Sequence, residues 1–269
     1  MSMSSEFRAL HSNPEKPLLL ANIWDVGGAR LVESIGAKAI ATTSAGVAWS
    51  LGYADGNHLP VDELTTLAAN IVKRVQIPVS IDVEAGYAND PDVVSENLKP
   101  ILESGVVGIN IEDGTDEPAL LAKKIEAIKK VAASMKVDLF LNARTDVYLQ
   151  NLVADEHKLE ETLKRAAMYR SAGADGLFVP ALADSAQILR ITAGTELPLN
   201  LLAWPGLPKV NELARLGVRR LSAGSGIPQI AWQQVAHLAE TFFAEGDSDL
   251  FTKDYMAHSR LQQLFASAR

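Results

Sequence analysis

Cysteine is absent from the 269-residue chain, which excludes disulfides, thiolate metal ligands, iron–sulfur clusters and a cysteine nucleophile, and suits a reducing compartment. Aromatic residues make up only 6% of the sequence, so a core has to come from the aliphatic residues that dominate its 48% hydrophobic content. Basic residues are in the minority: 25 Lys and Arg stand against 33 Asp and Glu, a formal net charge of −8, and no basic block exists to neutralise a row of phosphates. Nucleic acid is thereby disfavoured as a partner. No stretch approaches the ~18 consecutive apolar residues of a membrane span, and residues 1–13 carry neither an apolar run nor a small-residue cleavage pattern. These absences point to a soluble, cytoplasmic protein, and the apolar content excludes disorder.

What the sequence does contain is a rhythm. Short runs rich in Val, Ile and Leu recur with helical patterns between them, as buried parallel strands with crossover helices do. The candidate strands are Leu18 to Asn22, Lys38 to Thr43, Val79 to Val83, Val106 to Glu112, Val137 to Ala143, Ala174 to Val179, Leu199 to Ala203 and Val218 to Ala223. Gly36, Gly105, Gly173 and Gly217 each fall between a helical pattern and an even-numbered strand, where glycine takes the left-handed conformation that ends a helix. Pro17, Pro78 and Pro198 stand at strand entrances, where a missing N–H is harmless. The clearest helix carries Leu64, Leu67, Ala68, Ile71, Val72 and Val75 on one face, with Asp62 placed to cap it. Pro100 conflicts with the scheme, and a kink or broken turn is expected there. Eight such units in about 210 residues predict one α/β domain over 1–269, a (β/α)8 TIM barrel at about 17–245. A surplus amphipathic segment at about 247–269, with Leu250, Phe251, Tyr255, Met256, Leu261, Leu264 and Phe265, needs a surface on this chain or on a second copy.

In such a barrel the chemistry collects at the C-terminal strand ends. There the sequence places Asn22, Trp24 and Asp25 after strand 1, Thr43 and Ser44 and the loop to Asp55 and His58 after strand 2, and Asp82 and Glu84 at strand 3. Glu112 and Asp113 follow at strand 4, Asn142, Arg144 and Asp146 at strand 5, Asn200 and Trp204 at strand 7, and Ser222 to Gly226 at strand 8. Asp82 and Glu84 are two apart on extended chain and leave it on the same side; with Glu112 they form a group of like charges that calls for a cation. Oxygen donors without cysteine or clustered histidine favour Mg2+, with Mn2+ as the other candidate. The alternative is that these acids merely cap helices, as Asp90 before Pro91 is expected to do. Arg144 is placed to hold a carboxylate with two hydrogen bonds, its structural alternative being an ion pair with Asp146 or Glu112. Ser44-Ala45-Gly46 offers a hydroxyl and backbone N–H groups to an anion. A Schiff-base lysine is disfavoured, because Lys38 starts a strand and Lys209 begins a helix, and the histidines at 11, 58, 157, 237 and 258 form no metal-spacing pair.

Five runs, Ala21 to Asp25, Thr43 to Gly56, Asp82 to Tyr87, Gly108 to Asp113 and Leu141 to Asp146, closely resemble the isocitrate lyase / phosphoenolpyruvate mutase superfamily, in order along nearly the whole barrel. The resemblance implies a Mg2+-dependent lyase or mutase that makes or breaks a C–C or P–C bond beside a small 2-oxo carboxylate, of the oxaloacetate or phosphonopyruvate type. It implies Asp82, Glu84 and Glu112 as the metal shell, with Asp82 also on the substrate, Arg144 as the substrate-binding arginine, and Ser44, Ala45 and Gly46 as the carboxylate-binding turn. Asp55 matches the loop aspartate that acts in the phosphonate mutases, Trp24 and Asn200 are further substrate-binding candidates, and Trp24, Trp49 and Trp204 are candidate pocket walls. The resemblance also implies homodimers or homotetramers built by exchange of a C-terminal helix. The sequence departs from the family where the lyases carry a Lys-Lys-Cys-Gly-His loop, and Val179-Pro180 stands where the mutases have a histidine–serine pair. The rival expectation is a barrel that binds a carboxylate metabolite without turning it over.

Overall fold

Apolar β-branched runs bounded by glycine and proline become strands of one sheet. In the computed structural model, which describes residues 2–266, these are β1 (Leu18–Leu20), β2 (Ile40–Ala41), β3 (Val79–Asp82), β4 (Gly108–Glu112), β5 (Phe140–Arg144), β6 (Gly176–Val179), β7 (Leu199–Leu202) and β8 (Val218–Ser222). Successive strands from β2 to β8 pair in parallel, β1 pairs with β8, and β1 and β2 are linked just beyond their ends by one isolated parallel bridge between Ile23 and Thr42. The result is the expected (β/α)8 barrel, nearly closed. Most strands are shorter than the apolar runs that announce them, since the runs continue into the turns.

Among the described residues, three helices lie outside the alternating scheme, the last of them at His258–Ala266. The first, α1 (Met3–Leu10), precedes the barrel; the outer helices α2 (Val26–Ser34), α4 (Val61–Val72), α5 (Pro91–Glu103), α6 (Pro118–Ser134), α7 (Lys158–Ala172), α8 (Ser185–Gly194) and α9 (Val210–Arg215) follow successive strands, and a short α3 (Ser44–Ser50) is inserted after β2. Asp25, Asp90 and Asp184 cap α2, α5 and α8 through their carboxylates. Gly36, Gly105, Gly173 and Gly217 all take left-handed φ, between 88° and 107°, as expected of helix ends. Two local expectations are corrected. The cap of α4 is Pro60, with Asp62 in the first turn, favouring the positive end of the helix without accepting a capping bond. Pro100 produces no break: α5 is continuous to Glu103, because the proline lies in its last turn.

The barrel's N-terminal end is closed by α1. Phe7 is fully buried among Leu18, Leu20, Ala39, Ala41, Val107 and Phe140. It reaches so near β4 that a Cβ on Gly108 would lie 2.6 Å from its ring. Arg8 fastens the helix to Asp138 and Asp175 at 2.8 Å each. His11 stacks on Phe140 with ring centroids 4.1 Å apart, its Nδ1 within 2.8 Å of the Phe7 carbonyl and its Nε2 without a partner among the described residues.

Burial, and then the nearby Arg220 charge, push the His11 imidazole down from 6.5 to about 3. The unfolded chain therefore takes up a proton that the folded chain refuses, and stability present above pH 6.5 is lost as pH falls toward 3. The loss should reach roughly 2 to 3 kcal/mol by pH 4.5. Melting temperatures from pH 8 to 4.5 should show it in the wild type, and His11→Phe should flatten that dependence.

Candidate active site

A cavity of about 210 Å³ opens at the C-terminal ends of the strands. Its buried base is polar, formed by Asn22, Thr42, Asp82, Asn110 and Ser222, and Arg144 lines it as well. Leu149, Phe178, Pro180, Leu202 and Trp204 give it apolar walls; Ser44 and Ala45 at the start of α3 and the exposed Asp55 complete the lining. Strand register explains the grouping. Asp82, Asn110, Asn142 and Gly176 follow one another across β3 to β6, and Glu112, Arg144, Phe178, Asn200 and Arg220 across β4 to β8. Residues of like register face the same side of a sheet.

Arg144 is the organising cation. Its Nη1 lies 2.6 Å from Glu112, while Nε and Nη2 make a fork onto Asp146 at 2.6 and 2.9 Å. Both ion pairs expected as alternatives to substrate binding are thus present together. Three of its five N–H groups are engaged, leaving two. Burial opposes its charge, yet Glu112 and Asp146 outweigh that and hold it above its ordinary value. Burial also pushes the Glu112 carboxyl up to about 8, against the pull of Arg144.

Asp82 ends β3 at the base of the cavity, with Oδ1 accepting from the Glu84 amide at 3.1 Å and Oδ2 from Asn110 Nδ2 at 3.3 Å. Among the described residues it makes no ion pair. Burial raises its pKa, with the Arg144 charge pulling the other way. An acceptor-only carboxylate buried without a cation is a fit partner for a metal ion with its own water.

Glu84 corrects a sequence inference. The extended chain stops at Asp82, and Glu84 turns into a left-handed conformation, φ 51°, so the two side chains do not leave one strand together. Its carboxylate accepts from the Asn57 amide and from the Tyr87 hydroxyl, 3.1 Å away. Asn57 Oδ1 in turn accepts from the amides of Ala85 and Tyr87 at 3.2 and 3.3 Å, so this reciprocal pair ties the Asp55 loop to the β3–α5 turn. Among the described residues no three Asp, Glu or His side chains are grouped tightly enough to hold a metal alone.

Of the remaining candidates, Trp24, Gly46 and Asn200 do not line the cavity. Gly46 is in contact with Trp24 and Pro228, where a Cβ would fall 3.0 and 3.1 Å from their side chains, and Asn200 is buried behind Ser222, whose hydroxyl donates to its Oδ1. Asp113 also turns away: its carboxylate holds Arg165 at 2.8 Å, Tyr169 at 2.5 Å and the Asp146 amide at 2.9 Å. Asp113 thus holds Asp146, which holds Arg144. Sequence reasoning passed over Asn110, Thr42, Phe178 and Leu202; Asn110 was available from alternation, two residues before Glu112 on β4.

A barrel with buried acids, one forked arginine and a small cavity at the catalytic end defines an enzyme for a small anionic substrate. Comparison with known proteins narrows it. Residues 7–243 match the family model described as phosphoenolpyruvate phosphomutase. An uncharacterised protein of Mycobacterium tuberculosis is 37% identical over 235 residues, 86% of each chain. The oxaloacetate decarboxylase of Ectopseudomonas mendocina is 30% identical, covering 81% of this chain and 76% of its own. A Burkholderia cenocepacia structure described as a candidate lyase/mutase is 31% identical, with a TM-score of 0.88, covering 98% of this chain and 96% of its own. The chain belongs to the phosphoenolpyruvate phosphomutase family, and so to a group of mutases and lyases, as the sequence resemblance implied.

Removing Asp113 would leave Arg165 to Glu161 alone and would strip the buried Tyr169 hydroxyl and the Asp146 amide of their acceptor, and a buried donor left unsatisfied costs roughly 1 to 3 kcal/mol. Asp113→Ala should lower the denaturation midpoint accordingly, as chemical unfolding would measure.

Proposed function

We propose that the protein is a Mg2+-dependent lyase that decarboxylates oxaloacetate, or a closely related small 2-oxo acid, to pyruvate and CO2. The observation that carries this reading is one small cavity shared by Arg144, with N–H groups to spare, and Asp82, a buried carboxylate without a cation. Similarity to an oxaloacetate decarboxylase supports it, as does the Val179-Pro180 sequence in place of the mutases' histidine–serine pair.

The substrate's C1 carboxylate would take the two remaining N–H groups of Arg144 and the hydroxyl and first-turn amides at Ser44, Ala45 and Gly46, which fixes the plane of the 2-oxo acid. Asp82 would hold Mg2+, or Mn2+, with Glu84 and Glu112 set behind it and reached through water. When bound, the metal supplies positive charge where negative charge develops on the substrate's carbonyl oxygen. The C3–C4 bond breaks, its electron pair moves toward that oxygen, and CO2 leaves beside the apolar side chains of Leu149, Phe178 and Leu202, which favour a neutral product over a carboxylate. A proton from solvent water returns to C3 at the mouth, where Asp55 would position that water. Trp24 and Asn200 support the walls from behind.

The active assembly is proposed to be a homodimer or homotetramer. The helix α10 (Gly226–Glu245) buries only Pro228 and leaves Ile230, Trp232, Val235 and Phe243 in solvent, Phe243 at 83% exposure. On the barrel, a groove of about 610 Å³ along α1, β1 and α2 leaves Leu19 and Ile35 exposed, the kind of surface an exchanged helix covers. The last helix, α11 (His258–Ala266), packs on α2 of its own chain, where Arg30 donates to the Leu264 carbonyl at 2.5 Å. No helix among the described residues is long and apolar enough to cross a membrane.

Incubated with oxaloacetate and Mg2+, the purified protein should release pyruvate, seen by NMR, and neither EDTA-treated protein nor Asp82→Ala should; full activity in Asp82→Ala would refute the metal assignment. Arg144→Lys keeps the charge and loses the fork, so kcat/KM should fall roughly ten- to a hundredfold, on the order of 1 to 3 kcal/mol. A lower melting temperature with unchanged kcat/KM would instead make Arg144 structural. Light scattering should show an oligomer that shrinks when Ile230 and Phe243 on the exposed face of α10 are replaced by serine, and a monomer of the unaltered chain at micromolar concentration would exclude helix exchange.

A further inference from the structure

Beneath the cavity lies a charge that the proposed reaction does not use. Val218, Arg220 and Ser222 alternate inward on β8, and Arg220 is wholly buried in the barrel. It forms no ion pair among the described residues. Its Nε donates to Ser222 Oγ at 3.1 Å and its Nη2 to Asn110 Oδ1 at 3.2 Å, while among the described residues Nη1 has no acceptor, and neither has the amide nitrogen of Asn200, its register neighbour. A buried cation of this kind is no asset to stability, since apolar residues of similar volume commonly serve as well or better. Its use has to lie in what it touches.

Both groups it touches line the cavity. A guanidinium has donors only, so it dictates the direction of every hydrogen bond that starts from it. Toward β4 it makes Asn110 Oδ1 the acceptor, which turns Asn110 Nδ2 onto Asp82 Oδ2. Asn142 Nδ2 donates to the same Oδ1 at 3.0 Å, but a second amide can present either end and cannot fix the direction by itself. Toward β7 the bond from Nε uses a lone pair of Ser222 Oγ, so the hydroxyl proton points onward to Asn200 Oδ1 at 3.2 Å. One donor-only side chain thereby orients two chains of neutral groups.

We propose that Arg220 is a positioning residue for the metal site: by fixing the amide of Asn110 it holds the Asp82 carboxylate in its orientation at the base of the cavity. This rests on the reading of Asp82 as the metal-holding acid. Loss of such an outer partner typically weakens metal affinity roughly 10- to 100-fold.

The test uses Mn2+ alone as the probe, titrated by electron paramagnetic resonance into the full-length protein, its Arg220→Met variant, its Asn110→Leu variant and the double variant, with melting temperatures measured on the same preparations. The expected result is a melting temperature for R220M no lower than that of the wild type, Mn2+ affinity weakened roughly 10- to 100-fold, and a double variant no weaker than the worse single one, because the two residues act in series. Wild-type affinity in R220M, or losses that add fully in the double variant, would overturn the proposal. Should R220M not fold, Arg220→Lys, which keeps the charge without the two-armed geometry, has to show weakened Mn2+ binding, and wild-type affinity there overturns the proposal equally. Absence of Mn2+ binding by the wild type would refute the metal reading itself, and this inference with it.

Discussion

One guanidinium shared between two carboxylates is the interaction on which the site depends. Arg144 neutralises Glu112 and Asp146 in part and makes no ion pair with Asp82. Were Arg144 bonded to Asp82 as well, the cavity would hold a closed set of charges with little reason to admit a cation. As built, it has an excess of buried negative charge at one point and spare hydrogen-bond donors at another, complementary to a divalent ion and a 2-oxo carboxylate. Asp113 keeps this arrangement in place from behind: held by Arg165 and Tyr169, it accepts from the Asp146 amide and so sets the residue that sets Arg144.

The barrel supplies the precision. Parallel strands in fixed register bring Asp82 beside Asn110 and Glu112 beside Arg144 without any loop having to order itself, so these two acids and the arginine sit on strands. A loop adds the adjustable part, Asp55, and even there the Glu84–Asn57 pair anchors one loop to another. At the opposite end α1 seals the barrel with Phe7, which lets the polar residues of the interior stay dry except at the mouth.

Much of this was legible in the sequence, for identifiable reasons. Glycine at helix ends and proline at strand entrances report local backbone chemistry, and they located the units of the barrel. Side-chain alternation brought Arg144 and Asn142 to the interior correctly. It failed at Glu84, because a non-glycine residue with φ 51° ends the alternation without any compositional sign. The helix α1 went unseen because Phe7 is its single fully buried anchor, too little for an apolar periodicity. Arg220 was hidden by a general expectation: two arginines in succession within a strand read as surface, yet Arg219 and Arg220 point to opposite faces and one of them is the largest fully buried side chain. Pro100 misled in the other direction, since a proline in the final turn removes one bond from a helix that is ending.

The central claim is that the base of this cavity holds a divalent cation and a small 2-oxo acid together. Crystals grown with Mn2+ and oxalate, a planar mimic of a 2-oxo acid's chelating oxygens, test it through the anomalous scattering of the metal. The expected result is one strong anomalous peak within ligating distance of an Asp82 oxygen, with oxalate bound beside it and reaching toward Arg144. An anomalous map with no peak at Asp82, or oxalate seated away from Arg144, would contradict it.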